Sequence, residues 1–144
     1  MIYVLYGQPG SGKTTLGELL ADYLETPFII DGDEFRKMFS NRNYGKTGRE
    51  ENIRNANAVA TYLNKKSYPA GHVIMSLVNP YKYLRDELET NNAGQVIEIL
   101  LYSNRDLRKE YHVEDFERGT PCTVMNTDDD TKRSWIELKS KLKL

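Results

Sequence analysis

At 144 residues the chain is the length of one domain, long enough to bury roughly two-thirds of its unfolded surface around a real core. Lys and Arg total 20 against 21 Asp and Glu, a net charge of −1, so no global field draws nucleic acid or an anionic membrane to it. One cysteine, Cys122, excludes an intramolecular disulfide and a cysteine metal cluster. No apolar run reaches membrane length, so a single cytoplasmic domain over residues 1–144 is expected.

In chain order, Ile2-Tyr3-Val4-Leu5-Tyr6 reads as a buried strand, and Thr15 to Leu24 as a helix. Between them, Gly7-Gln8-Pro9-Gly10-Ser11-Gly12-Lys13-Thr14 fits the phosphate-binding pattern G-x-x-x-x-G-K-[ST] at every fixed position. Gly7, Gly10 and Gly12 let backbone N–H groups converge on one anion, and the helix N-terminus adds partial positive charge. Lys13 is placed to reach the β- and γ-phosphates of ATP and the Thr14 hydroxyl to ligate Mg²⁺, with Ser11 and Thr15 completing the expected ATP contacts.

Phe28-Ile29-Ile30 makes a second strand running into Asp31-Gly32-Asp33, where Asp33 is expected to cap the helix through Phe35 and Phe39. After a polar loop, Thr47-Gly48-Arg49-Glu50 reads as a capping box opening a long helix with Ile53, Ala56, Ala60 and Leu63 on one face. His72 to Val78 is a third strand, and Asn79-Pro80 is expected to start the next helix with proline in its first turn. Gln95 to Tyr102 is a fourth strand, Asn104 to Tyr111 a charged helix, His112 to Thr120 a polar connection, Thr123-Val124-Met125 a last strand. Trp135, Leu138 and Leu142 mark a closing helix. Alternating strands and helices predict an α/β fold with a parallel sheet of about five strands covered on both faces.

Ligands of such sheets bind beyond the carboxyl ends of the strands, where the phosphate loop, Asp31-Gly32-Asp33 and Val78-Asn79-Pro80 should converge. Two carboxylates beside a phosphate loop can accept a proton from an attacking hydroxyl or hold water on Mg²⁺. Lys13, Asp31 and Asp33 are therefore the catalytic candidates. Arg36, Arg49 and Asn52 suit a second anion, because guanidinium groups bind phosphate-like oxygens in pairs.

Asp31-Gly32-Asp33 with Arg36, then Arg49-Glu50-Glu51-Asn52-Ile53-Arg54, then Ser76 to Lys82, resemble the adenylylsulfate (APS) kinase family. The resemblance resumes at Pro121 to Asp128. It implies a P-loop kinase of three-layer α-β-α build that moves the γ-phosphate of MgATP to the ribose 3′-hydroxyl of APS. By position it implies Asp33 as base or Mg²⁺ organiser, and gives Arg36, Arg49 and Asn52 to the phosphosulfate. It gives Tyr44 to the APS adenine, Val78, Asn79 and Pro80 to the substrate face, and Arg105 to the adenine of ATP.

Two departures stand out. Asn79 replaces the serine usual before the proline, and the lid, about residues 104–120, is shortened to His112–Thr120 where it would cover APS. Glu114, Asp115 and Glu117 make that cover acidic, so little acceptor affinity is expected from it, and His112 is expected to face solvent. Expected partners are the small-molecule substrates, ATP and APS or a similar nucleotide, with a homodimer allowed for. A related kinase for another phosphorylated nucleotide or small alcohol is the second reading, and a nucleotide-responsive module without turnover the third. No Asn-Lys-x-Asp segment supports a GTPase, and no basic excess supports a nucleic-acid kinase.

Overall fold

A computed structural model describes residues 1–105 and 108–144. Strands β1 (Ile2–Tyr6), β2 (Ile29–Asp31), β3 (Val73–Leu77), β4 (Val96–Tyr102) and β5 (Thr123–Asn126) form one parallel sheet in the order β2-β3-β1-β4-β5. Helices α1 (Lys13–Tyr23), α2 (Gly32–Met38), α3 (Lys46–Ser67), α4 (Lys82–Asn91) and α5 (Thr131–Leu142) cover it.

The period-two alternation of β1 divides the core. Ile2, Val4 and Tyr6 pack with Phe35 of α2, Ile53, Ala56 and Ala60 of α3, and Leu84 and Leu88 of α4. Tyr3 and Leu5 point the other way, to Leu16 and Leu20 of α1 and Leu138 of α5. Both faces of β1 are therefore apolar, and all five of its residues are buried. The chain leaves β1 for β2 at one edge of the sheet and leaves β4 for β5 at the other, and this reversal between the neighbouring strands β1 and β4 opens a crevice at their carboxyl ends.

Four local expectations are corrected. Helix α2 is capped by Asp31, not Asp33: the Asp31 carboxylate accepts from Asp33 N at 3.1 Å and Glu34 N at 3.2 Å. An extended φ of −102° at Asp31 suits an N-cap, while Asp33 is already helical. There is no capping box at Thr47, because α3 starts at Lys46 behind Gly45, leaving Thr47 inside the helix. Glu50 instead accepts the Tyr83 hydroxyl.

Pro80 is not in the first turn of α4, which begins at Lys82. Asn79 holds a left-handed φ of 49°, incompatible with entering a helix there, and Glu117 Oε1 accepts from Lys82 N at 3.1 Å in place of a local cap. The expected helix from Asn104 to Tyr111 is replaced in its described parts by non-helical Asn104 and Arg105 and a 3₁₀ turn at Lys109–Tyr111. Asp106 and Leu107 lie outside the described residues.

Candidate active site

The loop between β1 and α1 is fixed by close approach. A Cβ on Gly7 would collide with the Leu101 carbonyl oxygen, and Gly12 enters α1 from a φ of 88°, so both positions call for glycine. Gly7 N donates to Val78 O at 3.3 Å and the Thr127 hydroxyl donates to Ser11 O at 2.9 Å, which ties the loop to β3 and β5.

Lys13 folds back into this loop. Its Nζ donates to Gln8 O at 2.9 Å and to Ser11 Oγ at 3.3 Å, and the residue is buried. Burial lowers the ammonium pKa to about 8, while the fields of Asp33 and, more weakly, Asp31 oppose that shift.

Asp31 joins the loop to the second strand end. Its Oδ1 accepts the Thr14 hydroxyl at 3.2 Å while Oδ2 caps α2. Asp33 is exposed one turn before Arg36, and its charge acts on both Lys13 and Arg36. Thr14 and the two aspartates present only oxygen donors beside the phosphate loop, the chemistry a small hard cation such as Mg²⁺ takes together with phosphate oxygens.

The other expected acceptor residues gather on this side. Arg36 NH1 donates to Asn41 Oδ1 at 3.3 Å and to Asn43 O at 3.0 Å, and its guanidinium lies 4.2 Å from the centroid of the Tyr44 ring. Arg49 donates from Nε to the Tyr81 hydroxyl at 2.9 Å and from NH1 to Tyr44 O at 2.7 Å. Asn52 Nδ2 donates to Gly32 O at 3.2 Å, binding α3 to the Asp31-Gly32-Asp33 turn.

Among the described residues, Asn52 Oδ1 and both side-chain heteroatoms of buried Asn79 have no hydrogen-bond partner. Buried polar atoms without partners are costly, so they mark places where a ligand or water would be welcome.

Arg105 stands apart from that group. With Gly12, Thr15, Thr127, Asp129 and Thr131 it lines a cleft on the β4–β5 side of the loop. Its NH2 donates to Thr127 O at 2.7 Å. The phosphate loop thus has the arginine pair of α2 and α3 on one flank and the Arg105 cleft on the other.

The adenylylsulphate kinase model matches residues 1–115. The chain belongs to that family. A probable adenylyl-sulfate kinase of Aeropyrum pernix is 38% identical over 86 residues, 57% of this chain but 46% of that protein, so the match spans about half the length of the relative. An APS kinase of Mycobacterium tuberculosis solved with AMPPNP and APS has the same fold, with a TM-score of 0.79 at 19% identity over 99% of this chain and 97% of that one. A gluconokinase of Sinorhizobium meliloti also shares the fold, at a TM-score of 0.69 and 18% identity over 98% of this chain and 90% of that one.

Sequence reasoning missed several residues that hold this family member's site in shape. Arg85, 1% exposed, donates to Asn79 O at 2.6 Å and to Glu117 O at 2.6 Å, with its guanidinium 4.3 Å from the Tyr6 ring centroid. It reads as a surface charge because most of what encloses it, Tyr6 of β1 and Glu117 of the lid, is distant in sequence. His112, expected to face solvent, is half-buried with Nε2 3.3 Å from Pro9 O.

Asp128 accepts from Ser103 Oγ at 2.5 Å, Asn104 N at 2.9 Å and Asn126 Nδ2 at 3.0 Å, and stands 3.6 Å from Arg105 Nε. Those hydrogen bonds, Ser103 first, hold its carboxyl pKa down to about 2. Its signal was the polar Asn-Thr-Asp run directly after a strand. Asp128→Ala is expected to release Arg105 and weaken MgATP binding several-fold without touching acceptor affinity, as titration of each ligand would measure.

A pH dependence also follows from Lys13. A phosphate anion binds the protonated ammonium, so affinity should be level below about pH 7. Above the lowered pKa of about 8, it should fall by up to about ten-fold per pH unit. Calorimetry of MgATP binding in buffers of different ionisation enthalpy should show proton uptake near pH 8, because the bound anion raises the pKa again.

Proposed function

We propose that this chain transfers the γ-phosphate of MgATP to the 3′-hydroxyl of APS. The observation that carries the reading is the Asp31-Gly32-Asp33 turn, which Thr14 ties to the phosphate loop and Asn52 ties to the arginine face. It sets Asp33 where its charge acts on Lys13 and Arg36 together.

In this reading Gly7, Gly10, Ser11, Gly12 and Thr15 hold the phosphates by backbone and hydroxyl donors, and Arg105 packs on the adenine of ATP. Thr14, with Asp31 and Asp33 nearby, would hold Mg²⁺, which would supply positive charge to the nucleotide's phosphates. The acceptor 3′-oxygen attacks Pγ as the bond from Pγ to the β-γ bridging oxygen breaks, and ADP leaves. Asp33 takes the hydroxyl proton, and Lys13 steadies the charge moving onto the leaving oxygens. Arg36, Arg49 and Asn52 hold the phosphosulfate, Tyr44 the acceptor adenine, and Val78, Asn79 and Pro80 the facing wall.

The test is an initial-rate survey of ADP release with MgATP and a panel of acceptors. APS should give the highest kcat/KM, and a panel led by any other acceptor would overturn the assignment. A second reading is a kinase for another phosphorylated nucleotide or small alcohol. It is favoured by the short lid, which places an acid rather than a cation on Arg49, with Asp115 Oδ1 3.5 Å from NH2.

A further inference from the structure

Asp115 lies between anchored points of the lid. Before it, Val113 is gripped by both ends of the Gln8 amide, Nε2 donating to Val113 O at 2.8 Å and Oε1 accepting from Val113 N at 2.9 Å. After it, Phe116 stacks on Tyr6 with ring centroids 6.2 Å apart. Glu117 then donates its N–H to Pro80 O at 2.8 Å, accepts Lys82 N on its carboxylate and accepts Arg85 on its carbonyl. The lid is thus fastened to the phosphate loop at one end and to the start of α4 at the other.

With its neighbours fixed, the half-exposed Asp115 side chain is directed at Arg49 NH2 at 3.5 Å. The other Arg49 contacts, Nε to Tyr81 and NH1 to Tyr44 O, are within its own side of the site. The edge of the guanidinium that faces the lid is therefore the edge an acceptor anion would take, and a carboxylate already holds it.

We propose that Asp115 is a specificity-determining residue, an internal carboxylate that an acceptor's anionic group has to displace from Arg49. This rests on the reading of Arg49 as an acceptor residue. A phosphate-type anion, with its higher charge and several oxygens matched to the guanidinium fork, displaces the carboxylate. A neutral alcohol leaves the pair in place and gains nothing from Arg49. Asp115 thereby sets a threshold: every anionic acceptor loses the modest strength of the pair, and only one that binds the guanidinium better than the carboxylate does gains from Arg49.

Binding of APS, AMP and neutral adenosine to the MgADP-loaded protein, by calorimetry, tests this in the parent, Asp115→Asn, Glu114→Gln, Arg49→Ala and the Asp115→Asn/Arg49→Ala double variant. An exposed ion pair has modest strength, so Asp115→Asn should tighten the anionic acceptors about two- to five-fold. Adenosine should be unchanged, and the gain should vanish in the Arg49→Ala background and fade at high salt. Unchanged or weaker anion binding in Asp115→Asn would overturn the proposal. So would an equal gain from Glu114→Gln or in the Arg49→Ala background, or the absence of anion binding in every variant.

The two readings can fail separately. If AMP responds as expected but APS is neither bound nor phosphorylated, the APS assignment falls and the role of Asp115 stands. If APS is phosphorylated and Asp115→Asn leaves its affinity unchanged, the reverse holds.

Discussion

Asp33→Asn is expected to lower the rate of phosphoryl transfer by about a hundred-fold or more while MgATP still binds, and Lys13→Ala should do at least as much harm. Phosphoryl transfer is catalysed chiefly by positioning and fixed charge, so removing one charge aimed at the reacting groups is felt mostly in the transition state. Asp33 is exposed, and among the described residues its side chain makes no hydrogen bond that folding depends on, since the α2 cap belongs to Asp31. Its replacement should therefore spare stability.

The same variant has a second signature. The Asp33 charge opposes the fall in the Lys13 pKa caused by burial. Without it the ammonium loses its proton at lower pH, and the alkaline limb of MgATP binding should move to lower pH. Turnover near the parental rate would contradict the role of Asp33 as base or metal organiser. A large loss of turnover with an unmoved alkaline limb would separate it from Lys13.

Arg49→Ala is expected to weaken APS by about ten-fold or more and leave MgATP within about two-fold. A charge-assisted hydrogen bond to a bound anion contributes about 1.5–3 kcal/mol, whereas an exposed ion pair such as Arg49–Asp115 contributes about 0–1 kcal/mol. The acceptor therefore wins the competition, and losing the guanidinium should still be costly. Arg49→Lys keeps the charge but not the fork that reaches both Tyr81 and Tyr44, so it should recover only part of the affinity. Equal losses for both substrates, or none for either, would contradict the division of the site.

Much of this was legible in the chain because it is written locally. Glycine spacing around Lys13 and the alternating apolar residues of β1 each depend on a few neighbours, and both led to the right element in the right layer. What failed depends on contacts far apart in sequence. Arg85 looks solvated until Asn79 and Glu117 close around it. Helix α4 starts late because its first free N–H is met by Glu117, 35 residues further along the chain. Asp31 and Asp33 are equally good caps by type, and the structure gives the cap to Asp31, the last residue paired in β2.

The lid was the least legible part, since its acids could not be paired with partners from sequence alone. The sequence shows only that Asp115 makes the cover acidic, whereas the structure pairs it with Arg49.

The most direct measurement is the identity of the product formed from MgATP and APS, followed by ³¹P NMR on the purified nucleotide. The proposed chemistry predicts a new monoester resonance coupled to the ribose 3′-hydrogen, an intact phosphosulfate and one ADP per product formed. Inorganic phosphate as the only new species, or a phosphoryl group at any position but the 3′-oxygen, would contradict it.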